Sequence, residues 1–197
     1  LNRKITGSWL FTGILVISLA LNLFLAIKYT DLAKRQNTMW RNAITHLTQV
    51  INWVSISNGD LSKRRNDSTY RLDEIRTNLR LLQQQLENTG TLPFADQIFP
   101  WKQREKLRNF INYNYEVVRI IEQELKDEGT VSAGNKERVE VIHNTWEEIL
   151  RVLETERNKR SPFSPIFTPT LWSSVFEKTL AVFDGVELIP LPEKGKQ

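Results

Sequence analysis

The sequence predicts an all-α protein: a single N-terminal transmembrane helix, then an antiparallel helical bundle of about four helices with a short C-terminal helix laid against it. Three observations carry this. Residues 10–27 contain no charged side chain. Beyond them, apolar residues recur at spacings of three and four in segment after segment, the signature of one-sided helices. No stretch shows the strict alternation of a half-buried strand. The expected division is a tail and anchor over 1–29, a helical bundle over 30–185 and a flexible tail over 186–197.

The anchor comes first. Twelve of its 18 residues are Leu, Ile, Val or Phe. At roughly −0.3 to −0.6 kcal/mol each, they favour insertion by about −4 to −7 kcal/mol, which outweighs Asn22. Eighteen residues at 1.5 Å each span about 27 Å, close to the hydrocarbon thickness. Trp9 and Tyr29 stand where interfacial aromatics belong, and Arg3, Lys4 and Lys28 flank the run. Cleavage near Ser18 and Ala20 is the competing reading, but the apolar run continues through Leu21, Leu23, Phe24, Leu25 and Ile27, which a processing site does not explain. Ser18, Asn22 and Ala26 form a small and polar stripe, so packing of membrane helices and homo-oligomerisation through this face are carried as candidates.

The net charge of +4 suggests a nucleic-acid partner until the charges are located. Arg3, Lys4 and Lys28 face no acid within residues 1–28, and Lys34, Arg35 and Arg41 meet only Asp31 within 29–41. From residue 42 onward, 21 basic residues face 22 acidic ones. The basic excess therefore flanks the apolar run, where it meets lipid headgroups, and no nucleic acid is expected as a partner.

Past the membrane, Trp40, Ile44, Leu47, Ile51 and Val54 make the first seam, so the membrane helix is expected to continue until a C-cap at Ser57, Asn58 and Gly59. Leu72, Ile75, Leu79, Leu82 and Leu86 make the second, with Asn66 or Asp67 as its cap and a stop at residues 88–90. Residues 90–101, with Pro93 and Pro100, form an apolar connection packed over a bundle end. Leu107, Ile111, Val118, Ile121 and Leu125 make a third seam that includes Asn114 in its stripe and stops at Gly129. Asn135 is the expected cap of a fourth helix carrying Val139, Ile142, Trp146, Ile149 and Leu153. Thr168 and Pro169 start a fifth, with Trp172, Val175, Phe176, Thr179 and Phe183 inward. Trp101, Trp146 and Trp172 are read as core.

No set of residues with a definite chemistry emerges. The absence of cysteine removes disulfides, thiolate metal sites and a cysteine nucleophile. Glu140, His143 and Glu147 share a helix face, but a carboxylate-bridged metal needs a second Glu-x-x-His, and His46 has Ala43 in that place. Catalytic residues, metal and cofactors are all expected to be none. The basic run Lys63, Arg64, Arg65, Arg71, Arg76 and Arg80 is the candidate surface for an anionic partner, against the plainer reading that it pairs with the acidic stretch 122–128.

The expectation is a non-enzymatic, membrane-anchored interaction or scaffold protein of a bacterial-type cell envelope, with the lipid bilayer and unidentified protein partners. The alternative is a ligand-sensing helical domain that signals through a partner, and an envelope enzyme with a dispersed acidic site stands third. The body is expected outside the cytoplasm, because a short basic start leads directly into the apolar run as in export signals. The downstream basic residues argue the other way by the positive-inside count. Reporter fusions after Gly185 separate these: activity only from an extracytoplasmic reporter is expected, and activity only from a cytoplasmic one reverses the orientation.

Overall fold

The computed structural model describes residues 3–63, 69–160 and 164–192, with side chains at 9, 11–61, 72–160 and 164–192. The helices are α1 (Arg3–Lys63), α2 (Thr69–Gly90), α3 (Ala95–Ile98), α4 (Trp101–Glu128), α5 (Ala133–Asn158) and α6 (Pro169–Ala181), followed by a 3-10 turn, Val182–Gly185. Among the described residues there is no strand, so the all-α class of the sequence reading stands. The chain forms two compact units, residues 1–39 with 161–167 and residues 40–160 with 168–197.

In the larger unit the predicted seams are the core. Trp40, Ile44, Leu47, Ile51 and Val54 are buried, as are Leu72, Ile75, Leu79, Leu82 and Leu86 on α2. Leu107, Ile111, Val118 and Ile121 on α4 and Val139, Ile142, Trp146, Ile149 and Leu153 on α5 complete it. Side-chain contacts show how these four stretches run. Trp40 Nε1 donates to Pro93 O just past α2, at 3.1 Å, and Asn78 Nδ2 donates to Ser57 Oγ at 2.9 Å. Rising numbers on α1 therefore meet falling numbers along α2. Gly90 lies against Arg104 and Arg76 pairs with Glu122, which sets α2 antiparallel to α4. Phe110 packs on Trp146 at 4.8 Å, and Ser132 N donates to Glu124 Oε2 at 3.0 Å, which does the same for α4 and α5. Ser55 against His143 and Thr45 against Arg157 close the ring from α5 to α1. The result is an up-down-up-down bundle.

α3 and α6 close one end. Phe99 stacks on Phe176 at 4.0 Å, and Trp40 meets Phe176 edge-on at 6.2 Å. This accounts for the apolar character of the 90–101 connection, whose Ala95, Ile98 and Phe99 are buried. Phe94 starts α3 with φ of 62°, a left-handed conformation that costs a non-glycine residue about 1–2 kcal/mol.

Four local expectations need correction. Ser57, Asn58 and Gly59 do not cap α1, which runs through them to Lys63. Ser57 Oγ and Asn58 Nδ2 donate to carbonyls one turn back, Trp53 O at 2.5 Å and Val54 O at 2.8 Å, so they bond within the helix they were expected to end. Gly59 serves close approach, since a Cβ there would lie 2.6 Å from His143 Cε1. The cap of α5 is Ser132, whose Oγ accepts from Asn135 N at 3.3 Å, three residues before the expected one. Trp101 is exposed, with the Arg108 guanidinium 4.8 Å from its ring centre, whereas Trp146 and Trp172 are buried. The tail is not free over 186–192: Tyr113 donates to Ile189 O at 2.6 Å and Arg138 to Pro190 O at 2.7 Å. The proposed caps Asn66 and Asp67 lie outside the described residues.

Because Leu79 and Ile149 are fully buried, Leu79→Asp and Ile149→Asp are each expected to destabilise the fold by about 3–5 kcal/mol through an unpaired buried charge. Denaturant unfolding checks this, and midpoints unchanged from the parent would mean that these seams do not form the core.

Candidate functional site

The smaller unit contains the apolar segment that the sequence predicts to span a membrane. Trp9 and the large apolar side chains from Phe11 to Leu32 are all exposed, and the most apolar window of α1 has a mean hydropathy of 2.0 with none of it buried. Apolar residues all around a helix that no protein covers suit lipid. This is one helix, near the N-terminus of the chain, long and apolar enough to cross a membrane. Trp9 and Tyr29 are twenty residues apart, about 30 Å along a helix, and both are exposed. Lys28 lies over the Phe24 ring at 5.6 Å. Ser18, Asn22 and Ala26 are exposed on their shared face. Arg3 and Lys4 lie in the first turn of α1, and their side chains fall outside the described set.

Of the basic run, side chains are described for Arg76 and Arg80. Arg64 and Arg65 lie outside the described residues, and for Lys63 and Arg71 only the helical backbone is described. Arg76 turns inward to Glu122, with Asp73 at 3.5 Å, and Lys126 reaches Glu122 at 2.9 Å. The hydrogen bond from Arg76, followed by that from Lys126, holds the Glu122 carboxyl at about 2, well below its ordinary range. Arg76 thus meets the acidic end of α4, as the plainer reading of that run anticipated, while Arg80 is exposed.

The bundle interior contains polar side chains that the sequence did not bring together. His143, expected on a solvated flank, is largely covered between α5 and α1. Its Nδ1 lies 2.9 Å from Ser55 O, and because a carbonyl only accepts, Nδ1 carries the proton. Ser55 Oγ is 3.2 Å from the same nitrogen, and Glu147 is 3.4 Å from Nε2. The serine, histidine and glutamate are contiguous but not arranged for nucleophilic catalysis: the protonated nitrogen faces Ser55 and cannot take its proton, and Ser55 is buried. Glu140 points to solvent, and among the described residues no group of three metal-ligating side chains occurs. Asn114 is fully buried, and neither of its amide atoms makes a hydrogen bond.

The end of α5 carries a buried carboxylate. Glu156 receives Lys159 at 2.6 Å, Lys178 from α6 at 3.1 Å and Arg160 at 3.3 Å. Arg160 also donates to Ser174 Oγ and to Leu171 O, both at 2.6 Å, so this ionic group fastens α6 to α5. The hydrogen bond from Lys159, with those from Lys178 and Arg160, outweighs burial and lowers the carboxyl from 4.5 to about 2. The sequence carries a signal for this group, since Glu156 continues the four-three spacing of Ile149 and Leu153. A cleft of about 250 Å³ lies between Phe110, Phe183, Val186 and Leu188. No family model matches the chain, and no curated protein or solved structure matches it.

A carboxyl whose pKa is lower folded than unfolded stabilises the fold above its unfolded value and ceases to as the pH falls toward its folded value. Glu156→Gln should therefore lower unfolding free energy by about 1–2 kcal/mol near neutrality, allowing for solvent screening of the half-exposed lysines. The gap between parent and variant should close as the pH falls from 4.5 toward 2. Urea titrations over that range test it, and a constant gap would show that the ionised carboxylate is not what fastens α6.

Proposed function

We propose that the protein is a non-enzymatic, single-pass membrane protein of a bacterial-type cell envelope whose helical body acts as a scaffold by binding other proteins. The observation that carries this reading is an exposed apolar edge on the bundle. Trp53 is 48% exposed and Ile56 52%, three residues apart on α1, and Leu81 stands exposed on α2. The two elements adjoin here, because Asn78 Nδ2 lies 3.4 Å from Trp53 O. A half-exposed tryptophan beside two aliphatic residues is the kind of side-chain set that anchors protein interfaces. The ionic groups of the body support the same reading, since Arg76, Glu122, Glu156 and Arg160 are engaged in joints between helices. The basic residues Arg3 and Lys4, directly before the apolar run, favour an extracytoplasmic body.

A second reading, a ligand-sensing bundle that signals through a partner, draws on Asn114. A fully buried amide with both atoms unpaired is a group that a small polar ligand would satisfy.

Photo-crosslinking in native membranes tests the scaffold reading. A benzophenone side chain at position 53 or 56 of the full chain is expected to give discrete protein adducts, and one at exposed Glu140 on α5 is not. Ile56→Asp should remove the position-53 adducts while changing stability by no more than about 0.5 kcal/mol, as expected of a surface substitution. Equal adducts at all three positions, or none, would count against a binding edge.

A further inference from the structure

The smaller unit joins the membrane-side part of α1 to the loop that precedes α6. Asn37, only 3% exposed, donates through Nδ2 to Ser164 O at 3.1 Å and to Ile166 O at 3.0 Å. The loop is also closed on itself, with Ser164 Oγ donating to Ile166 O at 2.9 Å and accepting from Ile166 N at 3.3 Å. Its backbone is thus fastened to α1 on both sides of Pro165. One turn nearer the apolar run, Ala33 is buried on the same face, while Leu32, Lys34 and Arg35 beside it are exposed. Against this fastened backbone, the Ile166 side chain is 60% exposed.

From Ile27, where the uncharged run ends, Ala33 and Asn37 lie about 9 and 15 Å further along the helix axis at 1.5 Å per residue. Measured from Tyr29, the interfacial aromatic, the distances are about 6 and 12 Å. A headgroup layer is about 5–7 Å deep on each side, so Ala33 lies near its outer edge and Asn37 about 5–10 Å beyond it along the helix axis; a tilt of the helix toward the side that carries the loop, within the ordinary range of about 0–40°, is what lowers Ile166 into it. Lys28, Lys34 and Arg35 are exposed at the same level against Asp31, a net positive collar that favours anionic headgroups.

We propose that residues 164–167 make a second contact with the bilayer, in which Ile166 enters the headgroup layer and the lysine and arginine collar of α1 engages anionic lipid. The occupant of the exposed isoleucine is thus a lipid surface, because the loop is continuous with the membrane-spanning helix and the charge around it complements anionic headgroups. Asn37 acts as the clamp that fixes the loop at this depth. The inference rests on the reading that residues 10–27 cross the bilayer.

The chain has no cysteine, so a single introduced cysteine carries a fluorophore at a unique place. The full chain is reconstituted alone in nanodiscs containing phosphatidylglycerol, with lipids spin-labelled either at the headgroup or in mid-chain. A label at Ile166→Cys is expected to be quenched by the headgroup probe several-fold more than one at Asp127→Cys, exposed near the end of α4. A label at Leu21→Cys should be quenched by the mid-chain probe. Asn37→Ala should reduce quenching at 166 and leave that at 21 unchanged. Quenching at 21 with none at 166 above the Asp127 level overturns the inference and gives the loop to water or a protein, while the membrane-spanning reading stands. Absence of quenching at 21 overturns both.

Discussion

Each bundle helix has one apolar stripe, and the four stripes must face one another to leave water; the remaining structure depends on that constraint. On α1 the stripe begins at Trp40, where an indole and an isoleucine-leucine seam follow a stretch exposed on most of its faces. Burying it against α2 and α5 brings Ser57 to Asn78 and Ser55 to His143, and burying the stripe of α2 against α4 brings Arg76 to Glu122, which fixes the antiparallel order. These polar contacts stand beside the apolar seams and set their register. Close packing then places particular demands at single positions, of which Gly59 against the His143 ring is the clearest.

The same constraint directs attention to surfaces when function is considered. The ionic groups join helices: the buried Glu156 ties α5 to α6, and the part-exposed Glu122 ties α4 to α2. Ser55, His143 and Glu147 meet, but the proton on Nδ1 is committed toward a carbonyl. Among the apolar side chains that the folded body exposes, Trp53 and Ile56 on α1 and Leu81 on α2 belong to adjoining helices. The smaller unit offers an isoleucine fixed outside a clamped loop.

Much of the fold was legible because burial follows periodicity. Leu79 and Ile149 were placed by three-four spacing, and both are fully buried. Local capping was less legible. Serine, asparagine and glycine in succession read as a helix stop, yet Ser57 and Asn58 bond back to their own helix and Gly59 admits a neighbouring ring. Ser132 instead of Asn135 caps α5 because both residue types make good caps and only the backbone path distinguishes them. Trp101 was misread because an aromatic at a helix start carries no periodic context; two arginines, rather than a core, lie over its ring.

By itself the sequence determined the all-helical class, the apolar membrane-length segment and the inward residues of each seam. These follow from composition and from spacing along one chain, and neither needs a partner element. The tertiary structure alone decided which polar groups meet. Asn37 with the carbonyls of Ser164 and Ile166, Ser55 with His143, and Glu156 with Lys178 are each brought together by folding across long stretches of chain. A spacing rule describes neighbours within one helix, whereas the meeting of two helices depends on how all the stripes are buried at once.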